Sequence, residues 1–472
     1  MNMKKQKPKA IVVGGSIPGE SCAKALVSAG WDVVVIEKTR GPPTQNPTDA
    51  GLGLDPLAQK IVQSWLHEPE LLYNNTLPIT ITEGYNIIYL ISFFPVESSS
   101  ALNYTDLLKI LVVHNLATDG EKKISWVIGR EEGAKYLTAY WADLHGLIYN
   151  TLPPEIFLWG HQYLSFCISE DKLTVKVRAK DLETDEIIEI VGDLLVGADG
   201  ILSSIGQSIL PDFKLRYTGY CEWRGVFNFS ENDSETILGI RKSYPDIGKC
   251  FYTNIGSGSH IIVTELKKEK FNWVWYVNQP EPELKYDVTL GNKLFYSLQG
   301  NTTSVKVSSD MIEELHQRAE QVWLPELSRL IKETRDPFLN AIYDCDPLEK
   351  IIWDRVVLTG DAAHPTTPHS ARSTNMAIID AAVLGKCLEK WGPDHLYSAL
   401  EEYQSIRKPV TSAQVLHSRR LGQMKQGLSI PGRERPFDPK TASLEDSVFI
   451  LNKNVPLFDV VPPILDSIFR SA

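Results

Sequence analysis

The run Gly360-Asp361-Ala362-Ala363-His364-Pro365 decides how the rest of the chain is read. It follows an apolar strand pattern, Arg355-Val356-Val357-Leu358-Thr359, and leads through Thr366-Thr367-Pro368 into a helical pattern that starts near Ser373-Thr374-Asn375 and continues past Asp380-Ala381. A glycine at a strand end lets a ligand come close to the backbone, and a helix start offers unpaired N–H groups and the positive end of the helix dipole. Asp361 adds a carboxylate able to accept from a sugar-alcohol hydroxyl, and the helix end would stabilise a partly anionic ring. Alone, the segment could be an ordinary strand-to-helix turn with an incidental Asp.

Two other segments repeat the pattern. Ala10-Ile11-Val12-Val13 is a continuous apolar run, followed by Gly14-Gly15-Ser16-Ile17-Pro18-Gly19, a helical stretch from Glu20 to Ala29 stopped by Gly30, and the strand Trp31 to Ile36 ending in Glu37. Buried parallel strands joined by a helix, a glycine-bearing turn aimed at a pyrophosphate and an acid after the second strand form a dinucleotide-binding βαβ start. Its middle glycine is Ser16. Further on, Lys172 to Val177 and Ile187 to Val191 read as a hairpin, and Asp193-Leu194-Leu195-Val196-Gly197-Ala198-Asp199-Gly200 reads as a strand ending in Asp-Gly before a helix from Ser203 to Leu210.

These three motifs, in this order and at these separations, resemble the flavoprotein monooxygenases of the para-hydroxybenzoate hydroxylase type from about Lys9 to about Arg420. The resemblance implies an α/β fold, α+β overall, in which a Rossmann-like FAD-binding domain is interleaved with a mostly antiparallel-sheet substrate domain. It places the FAD pyrophosphate on Gly14, Gly15, Ser16, Ile17, Pro18 and Gly19, and the adenosine ribose on Glu37 with Lys38 beside it. The ribityl chain falls to Gly360 and Asp361, and the flavin pyrimidine edge to Ala371, Arg372, Ser373, Thr374 and Asn375. Asp199 supports FAD and a transient NADH or NADPH site, and Gly51, Trp141 and Tyr163 complete the expected cofactor contacts. The stretches Tyr220-Cys221-Glu222-Trp223-Arg224-Gly225 and Pro368-His369-Ser370-Ala371 are similar to dihydroxypyridine hydroxylases and related nitrogen-heterocycle enzymes.

The implied reaction is hydroxylation of a small phenolic or nitrogen-heteroaromatic substrate with O2. It calls for a dry pocket and a base near neutrality. His364, His369 and His260 are the candidate bases, each weighed against a structural histidine; Trp223 and Arg224 are candidates to stack on and orient the ring, weighed against a sheet-packing Trp and an ion-paired Arg. The chain departs from the family where Trp141 begins Trp-Ala-Asp-Leu in place of arginine, at Gly206 where an arginine is usual, and at Ser373 where a glycine is usual. These departures motivate the alternative of a flavin-binding protein that has lost monooxygenation, a redox-neutral cyclase or isomerase or a non-catalytic partner.

With 472 residues, of which 43% are hydrophobic, the chain is long enough for more than one core. We expect FAD-domain residues 1–215, with a substrate-domain segment interleaved within about 79–130, substrate-domain residues 216–350, a return to the FAD domain over 351–425, and an irregular tail over 426–472 that wraps the surface or a partner subunit, compatible with a homodimer. A net charge of −11, with no basic cluster beyond Lys4 to Lys9, argues against nucleic acid or an anionic membrane as partner, and no apolar run is long enough to span a bilayer. Six cysteines without close pairs or metal-ligand spacing predict reduced thiols, no metal site and a cytoplasmic setting.

Overall fold

A computed structural model describes residues 7–42, 50–89, 111–115, 122–256, 258–281, 304–305, 307–438 and 442–470. The start of the basic N-terminal run and residues 43–49 lie outside the described residues.

The Lys9–Val13 strand is central to a six-stranded sheet ordered Ile352–Trp353, Val356–Leu358, Leu194–Gly197, Lys9–Val13, Asp32–Glu37 and Phe157–Trp159. All neighbours are parallel except the first pair. Strands covered on both faces must be apolar throughout, and Ala10 to Val12, Leu194 to Val196 and Val356 to Leu358 are fully buried. The Ile17–Ser28 helix packs on the Ser373–Trp391 helix, where a Cβ on Gly385 would stand 2.8 Å from Ala25 Cβ. Four strand ends therefore open onto one edge: Val13 precedes Gly14, Glu37 ends its own strand, Gly197 precedes Asp199, and Leu358 precedes Gly360. Ligands of doubly wound folds sit at this carboxyl edge, where the chain order reverses across the central strand.

A second, ten-stranded sheet runs Ser304–Val305, Phe338–Asp344, Arg216–Asn228, Lys270–Asn278, Ser259–Leu266, Cys250–Gly256, Thr76–Tyr89, Lys122–Tyr140 and Gly51–Leu54, with Leu111–Asn115 also on Lys122–Tyr140. It is antiparallel except where Cys250–Gly256 meets Thr76–Tyr89. The segment interleaved from the first half is wider than 79–130, because Gly51–Leu54 joins this sheet and Lys122–Tyr140 is one 19-residue strand. The Gly-Arg-Glu-Glu-Gly stretch at 129–133 carries little strand propensity, and pairing with Thr76–Tyr89 holds it extended.

The expected hairpin is part of a three-stranded sheet, with Val177 opposite Ile190 and its first strand starting at Val175, because Lys172 turns with φ 58°. The helices Ser234–Ser243 and Pro325–Glu333 were among those unforeseen; the Asp233 cap on the first and the proline at the start of the second were their signals. The tail is more regular than expected: Leu444–Leu451 is a helix with a Ser443–Asp446 capping box, and Phe458 and Leu465 are buried in the core around the parallel sheet.

Candidate active site

At one end of the carboxyl edge the turn is built for glycine. Gly14 has φ 106° and a Cβ there would lie 2.3 Å from Ala198 O, while a Cβ on Gly19 would lie 1.7 Å from Gly14 O. Ser16 caps the Ile17–Ser28 helix without a side-chain bond, so its hydroxyl does not take up the first-turn N–H groups. A glycine-lined concavity ending on an uncapped helix start fits a diphosphate. Glu37 borders it, accepting from Gly15 N at 2.6 Å and Thr39 N at 2.9 Å, and Lys38 beside it is exposed. Behind the turn lies a pair that sequence reasoning missed. His145 Nε2 donates to Gly15 O at 2.9 Å and stands 3.0 Å from Glu20 Oε1; burial lowers His145 to about 4 and holds Glu20 well above the carboxylate range, with Glu37 adding to the latter.

At the other end, Gly360 has φ 58°, and a Cβ there would meet Pro18 and Ala377 at 3.2 and 3.3 Å, so the two motif turns touch. Ser373 Oγ donates to Asp361 Oδ1 at 2.6 Å, and burial raises the Asp361 carboxyl. His364 is turned away from the cleft. Its Nε2 meets Asp380 Oδ2 at 2.6 Å; the same carboxylate accepts from Gly360 N at 3.0 Å and Arg407 Nε at 2.7 Å. Ala371 is left-handed (φ 54°), and the buried Arg372 reaches Asn454 and Tyr136 instead of the cleft. Asn375 holds Gly53 O and Ala371 O, both at 2.8 Å, and accepts from Asp55 N at 2.9 Å. Thr374 and Ser373 are half-buried, and Gly51 N donates to Asn272 Oδ1 at 3.2 Å, so the Gly51–Leu54 strand ties this loop to the large sheet.

Asp199 is taken up locally, accepting from Ser203 Oγ, Ser204 N and Ile205 N at 2.5, 2.7 and 3.2 Å, which caps the Ser204–Ile209 helix. Tyr163 is half-buried, with its hydroxyl pushed up to about 12 chiefly by burial. Trp141 opens its helix, donating its N–H to Ala50 O at 2.9 Å and setting its ring 5.0 Å from His145.

The large sheet presents two different faces. Trp223, Trp273 and Trp275 lie in an apolar core against the Ser309–Val322 and Pro325–Glu333 helices. Trp223 thus faces away from Arg224 and from the flavin-side loop. On the opposite face, register places Asn340, Glu222, Tyr276 and His260 side by side across four strands, with Arg224 one rung further along. Asn340 Nδ2 donates to Glu222 Oε1 at 3.1 Å, Arg224 Nε stands 3.6 Å from Glu222 Oε1, and Tyr276 stacks on His260 at 4.4 Å. His369, from the segment just before Ala371, closes over this row: its ring lies 4.7 Å from Tyr276, 5.1 Å from His260 and 5.2 Å from Tyr220. Burial, Lys425 and Lys453 hold His260 well below its ordinary value, and burial and Glu222 keep the Tyr276 hydroxyl protonated. Glu222 and Tyr276 were missed as site residues, although the alternation Tyr220, Glu222, Arg224 against Cys221, Trp223, Gly225 carried the signal.

Residues 346–418 match the model of an FAD binding domain, and residues 217–344 match an FAD binding domain-like model. The 6-hydroxynicotinate 3-monooxygenase of Pseudomonas fluorescens is 26% identical over 85% of this chain and 88% of its own. The chain is thus similar to FAD-binding proteins and to aromatic-ring monooxygenases. The aurachin C monooxygenase/isomerase of Stigmatella aurantiaca is 28% identical over 63% of this chain and 66% of that protein. The 2,6-dihydroxypyridine-3-hydroxylase of Arthrobacter nicotinovorans shares the fold, with a TM-score of 0.68 at 20% identity over 93% of this chain and 98% of that one.

In this chain the departures from the pattern it resembles have local explanations. Trp141 packs on the His145 ring behind the glycine turn, Gly206 N is bonded by Ser203 Oγ at 2.8 Å, and Ser373 lends its hydroxyl to Asp361. A surface hollow of about 570 Å³ between Ile209–Phe213 and Pro347–Trp353 includes none of the residues assigned above.

Proposed function

We propose that this flavoprotein hydroxylates a small phenolic or nitrogen-heteroaromatic substrate, using O2 and NADH or NADPH. The observation that carries the reading is the meeting of two structures: the carboxyl edge of the parallel sheet, and the polar face of the large sheet under His369. Bound FAD supplies two-electron acceptance from the nicotinamide and activation of dioxygen. Gly14 to Gly19 and the helix start behind them would hold its diphosphate, Glu37 with Lys38 its adenosine ribose, and Asp361 its ribityl hydroxyls. Ala371, Ser373, Thr374 and Asn375 would border the ring, and Arg372 would shape that border from beneath. Gly51, Trp141, Tyr163 and Asp199 would frame the rest, mostly through the backbone they position.

For the substrate, a neutral His260 is suited to accept a ring hydroxyl proton, His369 covers the ring, and Arg224 with Glu222 orients it. His364 serves as a brace for the Gly360 turn. The reading is tested by reconstituting the protein with FAD and screening ring compounds aerobically. The expected result is NAD(P)H oxidation stimulated by a compound that gains one oxygen atom by mass spectrometry; a protein that binds no flavin refutes it. The hydroxyl of Ser373 on Asp361 and the arginine lost at Trp141 favour a second reading, a flavin protein without net monooxygenation. Tightly bound flavin that NAD(P)H never bleaches would select it. No single helix among the described residues is long and apolar enough to cross a membrane, and the six cysteines stand as free thiols, which suits a cytoplasmic enzyme.

A further inference from the structure

The hydrogen bonds around His260 fix which of its ring nitrogens carries the proton. The long helix Leu396–Lys425 ends at Gln426, and Gly427, left-handed at φ 60°, turns the chain away, so that Gln426 meets the end of the Lys270–Asn278 strand. Gln426 O can only accept, so Asn278 Nδ2 is the donor at 2.8 Å. Asn278 Oδ1 then accepts from Gln426 Nε2 at 2.7 Å, which leaves Gln426 Oε1 facing His260 Nδ1 at 2.6 Å. An amide oxygen has no proton to give, so His260 Nδ1 donates. An isolated amide could be turned about without changing its outline; here the backbone carbonyl forbids that at Asn278, and Asn278 in turn forbids it at Gln426.

The surroundings allow the ring only that one proton. Burial first, and then the charges of Lys425 and Lys453, outweigh the bond to Gln426 and keep His260 neutral. With Nδ1 protonated, Nε2 holds a lone pair, and that atom is buried without a hydrogen-bond partner among the described residues. Tyr276 does not serve it: its ring lies nearly parallel to His260 at 4.4 Å, and its hydroxyl bonds Glu222. Arg224 Nε, a buried donor also without a hydrogen-bond partner, stands beside Glu222, two strands away from His260. Buried acceptors without donors are rare in folded proteins unless a ligand or water supplies them.

We propose that Gln426, held by Asn278, is a positioning residue: it fixes His260 as the Nδ1–H tautomer and so keeps the Nε2 lone pair for a hydroxyl on the bound ring. The inference deepens the hydroxylation reading and rests on it for the ring, while the tautomer stands on the protein's own hydrogen bonds. With its proton on the other nitrogen, the same histidine would present an N–H to that hydroxyl and could take no proton from it.

The test is heteronuclear NMR of the FAD-loaded full chain with its histidine ring nitrogens isotopically labelled, in which protonated and bare nitrogens resonate far apart. The His260 signals are assigned by their disappearance in His260→Gln. The parent should show Nδ1 protonated and Nε2 bare, and resorcinol, a ring that bears hydroxyls, should move the Nε2 signal while the proton stays on Nδ1. Gln426→Leu removes the acceptor, and Asn278→Leu leaves Gln426 in place but frees its amide to turn. Each should let the proton redistribute between the two nitrogens and weaken resorcinol binding, read from the perturbed flavin absorbance, about tenfold with FAD retained. A merely structural Gln426 would change stability without moving the tautomer. A proton on Nε2, or on both nitrogens, in the parent overturns the proposal, as does an Nε2 signal that ignores resorcinol or a tautomer unchanged in both folded variants. Should neither variant fold, the parent spectra decide alone. A chain that binds no FAD refutes the hydroxylase reading instead, and spectra of the flavin-free chain still report the tautomer.

Discussion

Asp380 touches nothing in the cleft, yet its carboxylate is where three segments meet: the Gly360 turn, His364 and Arg407 of the long C-terminal helix. The cluster is buried, and removing the charge would strand a guanidinium in the core. Asp380→Asn should therefore cost about 3–5 kcal/mol of stability, measured by chemical denaturation. His364 and Arg407 hold the Asp380 carboxyl at about 2 against burial, below its ordinary 3.8. A depressed folded pKa means that this stabilisation is complete above the ordinary value and is lost as pH falls through the folded one. The parent should thus weaken between about pH 4 and pH 2, and the Asn variant should lack that component of acid sensitivity. Asp361 is a different case, because its partner would be the cofactor. Asp361→Ala should cost FAD about 1.5–3 kcal/mol of affinity, roughly ten- to a hundredfold, in a flavin fluorescence titration. An unchanged Kd would assign Asp361, with its Ser373 hydroxyl bond, to the fold alone.

At the scale of elements, the contact between the Ile17–Ser28 and Ser373–Trp391 helices is the most exacting. Gly385 leaves 2.8 Å to Ala25 Cβ and 3.0 Å to Ala25 O for any added Cβ, so Gly385→Val should separate the helices and lower stability by about 1–3 kcal/mol. Both helices start at the motif turns, and the same variant should weaken FAD binding. The tail offers a second test. Gln414 of the long helix bonds Lys453 O at 2.7 Å and Val455 N at 3.0 Å, which seats Asn454 against Arg372. Asn454→Ala should cost about 1–3 kcal/mol in a thermal melt, since it leaves a buried donor unmet. The parallel strands and their helices were legible in the sequence because runs such as Ala10 to Val13 and Leu194 to Val196 are apolar without interruption. The role of the tail was not, since Asn454 and Phe458 act through residues some eighty positions earlier, and neither periodicity nor propensity reports such contacts. For His364, weighed as a base or a structural histidine, the sequence could not name the partner: Asp380 lies inside the following helix.

For the molecule as a whole, FAD should act as a clamp between the carboxyl edge and the large sheet, and ligand held at a hundred times its Kd should add about 2.7 kcal/mol to the unfolding free energy. A denaturation midpoint that ignores FAD in the parent would contradict the cleft described above. The ten-stranded sheet draws on residues 51–54, 76–89, 111–115, 122–140, 216–228, 250–278, 304–305 and 338–344, while the parallel sheet closes only with Val356–Leu358. A chain laid out this way cannot finish either sheet early in its synthesis. Gly14 is made near the beginning, but Gly360, which packs on Pro18, leaves the ribosome about 350 residues later, some 20–70 s at ~5–20 residues per second. Through that interval the Lys9–Val13 strand has only one of its two parallel neighbours for the first 190 or so residues, and the Ile17–Ser28 helix waits longer still for the Ser373–Trp391 helix that packs on it. Newborn chains of this protein should therefore lean on chaperones at low temperature and slow induction alike, and cofactor supplied during translation has nothing complete to bind until the last quarter of the chain has emerged.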